Sequence, residues 1–491
     1  MAGKLWIWGR QQAGTLPRAW KDGNPDEEDV VLVWGDAALP EAGASLPVMH
    51  MWNAKAHSFS LLPWREVHRR LSRVGVEAVN RDQRATVRSS AHTGNNALAS
   101  GGSSRLAERW KIVRLLRVVV WQHQVLRVER MNRQEGAPAA SSLHSTVLKP
   151  EEVLHRRAGK TAIKALYALQ LDLAAIDLLL KEDGSCQVVS IHLPTHQKLP
   201  DQTWDWEAVV QRISERWRSS KSIRSAAAKP ILVGADPEFL LMSAEGKVVP
   251  AHRYLGDGYG AGTDTVYIGG KIVRIVAELR PAPAETVDVL MARIRKLLQQ
   301  AASRINDPTL RLAAGAMPAP GLALGGHIHL SGVELTPRLL RLLDSYVAFP
   351  LAMVESAGGR SRRPRYGCLG DTKLQQHGGF EYRTLPSWLL SPMLAQASIA
   401  LSMLCAHEQR NLIYCPAEED VYVEAYYSGD RNRLYQCLEP LEASMRHTAA
   451  YAELAPYIDP FIASLRRREI WDESADLRKA WRLPPFQVDR G

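Results

Sequence analysis

No uninterrupted apolar run in this 491-residue chain approaches the roughly 18 residues of a membrane-spanning helix, so no membrane span is expected. Met1 to Trp20 alternates polar and apolar side chains and lacks the apolar core of a secretory signal. Cysteine is scarce: Cys186, Cys368, Cys405, Cys415 and Cys437 form no CxxC pair and leave an odd number. That argues against a zinc ribbon or a disulfide framework and fits a reducing, cytoplasmic interior. Charge bias is also weak, since a formal net charge of +10 is modest for this length. It suits anionic partners such as ATP or nucleic acid and identifies none. What is present is a globular composition, 46% hydrophobic and 23% charged, in a chain longer than one ordinary domain.

The N-terminal half reads as an alternation of strands and helices. Lys4 to Trp8 and the run Val30-Val31-Leu32-Val33-Trp34, ended by Gly35, read as strands, the second buried and parallel in character. Ser60 to Val74 carries apolar residues three or four apart and predicts an amphipathic helix. Arg84 to Gly102 is rich in Ser, Gly and Asn, a composition that fits a phosphate cradle or a surface loop equally. Two paired strands follow, Trp110 to Trp121 and Gln124 to Arg130, whose arginines either line an anionic cleft or form the solvated face of a hairpin. Thr161 to Leu180 reads as a helix running into a strand, and Cys186 to Ile191 as the next strand. Trp217 to Pro230 is basic, rich in small residues and stopped by proline, as linkers are.

Beyond the linker four short segments share one feature. Asp236 and Glu238, Glu278 and Arg280, His327 and His329, and Glu381 and Arg383 are each two residues apart in a plausible strand. Alternate residues of a strand share a face, so four strands would each offer two polar groups to one side. Ala277, Leu279, Ile328, Leu330, Tyr382 and Leu385 would fill the other. Such a polar face is costly unless it binds something. Carboxylates with imidazole suit Mg2+ or Mn2+, and interleaved arginines suit phosphate. Helices are expected at Glu285 to Ile305 and from Thr336-Pro337 to about Glu355, giving α+β layering. The loop Gly358 to Asp371 packs four arginines into six residues, a candidate anion clamp with Arg365 first and Arg360 second. Cys368 in that loop has no general base placed for it.

The ordered set GADPEF, AELRP, GGHIHLSG and FEYRTLPSW resembles the phage-type carboxylate-amine ligases, amidoligases related to glutamate-cysteine ligase and glutamine synthetase. The resemblance runs from about Ile231 to the C-terminus. It implies a glutamine synthetase-like antiparallel sheet, with helices on one side, that cups ATP and Mg2+ or Mn2+. A substrate carboxylate is phosphorylated there, and an amine displaces phosphate to form an amide. Glu238, Glu278 and Glu381 would hold metal, joined by Asp236 and by one of His327 and His329, with His329 favoured. Arg383 and Arg365 would steady the phosphoryl group and acyl-phosphate, with Arg360 also on the nucleotide. Arg280 would hold the substrate carboxylate or pair with a ligand.

A second resemblance covers the N-terminal half. Val33-Trp34-Gly35, Trp52-Asn53-Ala54-Lys55, the Ser/Gly loop and the stretch ending Ala-Ala-Ile-Asp177 look like an ATP-grasp α/β domain with its leading subdomain. That fold holds magnesium with an Asp on one strand and Glu-x-Asn on the next. Asp177 fits the first, but Ser190-Ile191-His192 stands at the second, so a degenerate site is expected.

The expected organisation is an ATP-grasp-like domain over 1–215, a linker over 216–230, a catalytic domain over 231–415 and a helical extension over 416–491. Its substrates would be a small-molecule or peptide carboxylate and amine, a protein side chain being compatible, in a bacterial or phage-infected cell. Neither membrane nor nucleic acid is expected as a partner. A metal-dependent phosphotransferase on the same sheet and a non-catalytic scaffold remain open alternatives.

Overall fold

The structure is a computed structural model that describes residues 5–8, 30–34, 48–80, 114–133, 143–193, 230–268, 271–376 and 378–483. The Ser/Gly loop and all of the expected linker but Pro230 lie outside the described residues. The chain divides into two compact units, Met1–Ala228 and Lys229–Gly491.

In the first unit β1 (Leu5–Trp8), β2 (Val30–Trp34) and β3 (Val48–Trp52) form a parallel sheet with the apolar Val30 run in the middle. Asn53, directly after β3, is fully buried with φ at 49°. Its Oδ1 accepts from the amides of Asp172 (2.6 Å) and Leu173 (2.9 Å), and its Nδ2 donates to the Leu173 carbonyl (2.8 Å). Asn is one of the few non-glycine residues that enter the left-handed region, and here its side chain ties the end of β3 to Asp172 and Leu173. The helix expected over 60–74 is two helices, Ala56–Ser60 and Trp64–Arg73. Pro63 separates them, since the residue before a proline is driven out of helical backbone.

A six-stranded sheet completes this unit, in the order β4 (Glu77–Ala78), β9 (Cys186–His192), β8 (Leu173–Leu180), β5 (Arg114–Trp121), β6 (Gln124–Arg133), β7 (Leu143–Val147). The pairings are antiparallel except β4 with β9. Every residue of β8 is buried, which explains its nearly continuous apolar run. The preceding helix spans Val153–Ala168, starting earlier than its apolar pattern indicated.

The second unit is organised on an eight-stranded sheet. Its path is β12 (Gly260–Ile268), β13 (Lys271–Arg280), β10 (Leu232–Met242), β15 (Gly326–Ser331), β17 (Phe380–Tyr382), β16 (Thr372–Leu374). The short β11 (Val248–Val249) and β14 (Arg311–Ala313) also pair with β10, and every pairing in the sheet is antiparallel. Ala277, Leu279, Ile328, Leu330, Tyr382 and Leu385 are all buried, as the alternation requires. Helix Val287–Arg304 lies against β12 and β13, and helix Pro392–His407 against β15. The first is capped by Thr286 Oγ1, which accepts from the Val289 amide (3.4 Å), and buries Val287, Leu290, Ile294 and Leu298. The helix expected up to Glu355 is Pro337–Leu343, a π turn at Asp344–Ala348, then Phe349–Val354. Pro350, which lacks an N–H and crowds the carbonyl four residues back, accounts for the widened turn. Beyond 415 the unit is helical, with Tyr451–Arg466 packed on Pro392–His407.

Candidate active site on the sheet face

The strand register brings the four polar dyads together. Asp236 lies opposite His327, Glu238 opposite Glu278, and His329 opposite Glu381. Directly opposed residues point to the same side of a sheet, so all of these share one face. Asp264 joins them two residues beyond Gly262, which is opposite Glu278. Asp264 was not among the sequence candidates; it is placed here by β12, which begins at Gly260. Lys373, opposite Glu381, was missed for lack of any alternating pattern in three-residue β16.

Two glycines make this face possible. A Cβ on Gly325 would collide with the His327 imidazole, and one on Gly326 would meet the Pro386 carbonyl and the Trp388 ring, 2.6 Å away. Trp388 Nε1 donates to the Gly326 carbonyl (2.8 Å), locking the strand from behind. The Gly325 amide also donates to Glu238 Oε2 (2.7 Å), so the turn into β15 positions an acid.

His327 Nδ1 lies 3.1 Å from Asp236 Oδ1 and 3.2 Å from Glu381 Oε1, and His329 Nε2 lies 3.1 Å from Asp236 Oδ2. Yet Asp236 Oδ1, His327 Nδ1, His329 Nε2 and Glu278 Oε2 are buried without an aligned hydrogen bond. Close approach without alignment is expected of groups aimed at a common point. Ligand atoms of Asp236, His327 and Glu381 all lie within 4.8 Å of one another, nearly the span of one ion with bonds of about 2.1 Å. This donor set fits a divalent cation.

The electrostatics agree. Burial pushes the Glu238 carboxyl up to about 7. Burial and the neighbouring Asp236 charge push Glu278 up to about 9. For His327 burial works downward, but Asp236 and the other acids outweigh it and raise the imidazole to about 9. Asp236 goes the other way: burial opposes ionisation, yet the two imidazoles hold it well below the usual carboxylate range. Without a cation the cluster therefore holds protons where the cation's charge would lie.

The arginines divide by what they touch. Arg383 Nε lies 3.0 Å from Glu381 Oε1, with its side chain 40% exposed toward the face. Gln375 Nε2 donates to the other oxygen of Glu381 (3.0 Å). Arg280 pairs with Glu278 and donates to the carbonyls of Gly258 and Thr263 (3.0 Å each). In the arginine-rich loop Arg362 is buried and ties the carbonyls of Thr384 (2.9 Å) and Leu385 (2.8 Å). Arg363 pairs with Glu355 and stacks 3.9 Å over Tyr426. Two of the four loop arginines are thus structural, leaving Arg360 and Arg365 exposed. Cys368 is buried, which argues against a nucleophile there.

In the first unit Asp177 is enclosed. Arg117, opposite it on β5, donates through Nε to Oδ1 (2.7 Å) and through Nη2 to Oδ2 (3.1 Å). Ser190 Oγ donates to Oδ2 (2.8 Å), and His192 Nε2 lies 2.7 Å from the same oxygen. Three of these four contacts converge on Oδ2 and Arg117 takes Oδ1 as well, so protein groups occupy the carboxylate where a magnesium ion would be held. Arg117 therefore belongs neither to an anionic cleft nor to a solvated hairpin face: it is a buried partner.

A carboxylate, histidine and arginine face on an antiparallel sheet is the arrangement that the resemblance to amidoligases implied. The chain belongs to the phage phiEco32-like COOH.NH2 ligase-type 2 family, whose profile matches residues 233–483, just over half of the sequence. No curated protein matches it. Among solved structures it is similar to apo GmaS at 16% identity over 60% of this chain and 82% of that one, with a TM-score of 0.28. A novel glutamine synthase homologue matches at 16% identity over 62% and 78%, with a TM-score of 0.26. The ATP-grasp ligase PsnB, solved with a precursor variant, Mg and ADP, matches at 13% identity over 29% of this chain, with a TM-score of 0.20. The match spans 54% of that structure. Among the described residues no helix is long and apolar enough to cross a membrane.

Proposed function

We propose that the second unit joins a carboxylate to an amine at the expense of ATP, by way of an acyl-phosphate. The observation that carries this reading is the convergence of Asp236, His327 and Glu381, with Asp236 Oδ1 and His327 Nδ1 buried and without an aligned hydrogen bond, beside Glu238 and Glu278. Asp236, His327 and Glu381 would hold one divalent cation, with His329 beside Asp236, and Glu238 with Glu278 would hold a second. Such cations neutralise charge on a transferring phosphoryl group and fix it in line with its acceptor.

The chain's own residues supply the rest. Arg383, on the rim next to Glu381, offers a guanidinium fork to the phosphoryl oxygens, and Arg365 and Arg360 are exposed cations available for the nucleotide. The substrate carboxylate oxygen attacks the γ-phosphorus and ADP leaves. The amine then attacks the acyl carbon, phosphate leaves, and a proton is released. The buried sheet behind the face keeps these groups fixed, so little reorganisation accompanies charge development. Substrates are a small-molecule or peptide carboxylate and amine.

The test is to incubate the full-length chain with ATP, Mg2+ or Mn2+ and a pool of amino acids and peptides, following products by mass spectrometry. ADP with a product lighter by one water than its precursors is expected. ADP with a stable phosphorylated product and no need for amine would replace the ligase with a phosphotransferase. Glu381→Gln should lower ATP turnover by about a hundredfold or more while far-ultraviolet circular dichroism is unchanged. Near-normal turnover removes Glu381 from the site.

A further inference from the structure

Arg280 sits in the acidic row, but most of its hydrogen bonds go elsewhere. Gly262 lies opposite Glu278, and a Cβ there would come 3.1 Å from the Gly256 carbonyl, 3.2 Å from the Gly258 carbonyl and 3.0 Å from Arg280 Nη1. The glycine-rich turn before β12 therefore folds back onto the site face beside Glu278. The Thr263 amide donates to Gly256 O (3.2 Å), and Thr263 Oγ1 donates to Asp257 Oδ1 (2.9 Å). Arg280 closes the arrangement by donating Nη1 to Gly258 O and Nη2 to Thr263 O while pairing with Glu278.

The tip of this turn is Tyr259, 101% exposed, between Gly258 at φ 109° and Gly260 at φ 88°. A large aromatic ring held out by a fastened backbone beside the polar sheet face has apolar area still to bury. Gly258 and Gly260 supply backbone that other residues enter only with strain.

We propose that Arg280 is a positioning residue: it straps residues 256–260 onto the site face and thereby sets Tyr259 and the turn carbonyls as one wall of the ligand cleft. This rests on the ligase reading of the face. It separates Arg280 from the phosphoryl-contacting arginines, because its fork is spent on two carbonyls and a neighbouring acid. Lysine cannot replace it, since one ammonium has no planar fork to span those acceptors.

The experiment uses the full-length chain and needs no product. Chymotrypsin cleavage after Tyr259 is followed by mass spectrometry, and Mn2+ binding by electron paramagnetic resonance. Arg280→Ala and Arg280→Lys should both cleave about tenfold faster than the parent because the turn opens locally. Mn2+ binding should change much less in both than in Glu278→Gln, since the carboxylate that Arg280 pairs with is itself retained. Glu278→Gln should show the reverse, weak Mn2+ binding with the turn still protected. In ADP-forming turnover Arg280→Ala should raise KM with kcat nearly unchanged. Parental cleavage rates, Mn2+ loss matching that of Glu278→Gln, or a fall in kcat at unchanged KM would each overturn the assignment. Cleavage and Mn2+ binding stay readable if no ligation is found, so failure of the ligase reading is distinguishable from failure of the strap.

Discussion

At the scale of single residues the site is a set of opposed proton affinities. Glu278 and His327, raised to about 9, hold protons at neutral pH and Glu238, raised to about 7, does so in part, so a divalent cation bound as proposed would displace them. Mn2+ added to the full chain in weak buffer at pH 7 should therefore release protons. Its apparent affinity should rise from about pH 6 to pH 9, because carboxylates and imidazole bind metal only when deprotonated. The measurement is calorimetry in buffers of differing ionisation heat, and a pH-independent affinity would show that these groups are not the ligands. The acids and histidines were legible from sequence because strand alternation writes shared faces at a spacing of two. The partners of Arg280 were not, because they are backbone carbonyls of a turn and carry no side-chain signature.

At the scale of elements, β15 shows how a strand is shaped by what cannot be there. The pair Gly325-Gly326 leaves room for the His327 ring on one side and for Pro386 and Trp388 on the other. Gly326→Ala sets a methyl group against a backbone carbonyl that has no rotamer by which to withdraw. It should destabilise the unit by about 2–3 kcal/mol, the size typical of overpacking, seen as a lower urea midpoint. Gly325→Ala acts on the site instead: the methyl displaces the imidazole, so Mn2+ affinity should fall about tenfold or more with little change in the midpoint. Equal effects of the two substitutions would contradict this division. Strand order was hidden from sequence for a related reason. The central pairings of β10 with β13 and β15 join segments about 40 and 90 residues apart, set by tertiary packing and not by local pattern.

At the scale of the whole molecule the two units treat a strand carboxylate in opposite ways. Asp236 sits among groups that leave ligand atoms unaligned, whereas both oxygens of Asp177 are engaged by Arg117, Ser190 and His192. The sequence exposed the Ser190 and His192 departures but not their cause, because Arg117 reaches Asp177 only through the pairing of β5 with β8. These contacts outweigh burial and hold the Asp177 carboxyl well below its ordinary range. Its folded value is thus below its unfolded value of about 3.9, so its stabilisation is present above about pH 4 and is lost as pH falls toward the folded value. The first unit should lose melting temperature progressively below about pH 4, and Asp177→Asn should lower its transition at pH 7 while flattening that acid dependence. Breaking a buried pair costs about 3–5 kcal/mol, enough to see in calorimetry of the full chain. The same substitution should leave the number of Mn2+ ions bound per chain unchanged, whereas Glu381→Gln should reduce it. A loss of one Mn2+ in Asp177→Asn would mean that Arg117 yields its place to a cation and that the first unit carries metal chemistry of its own.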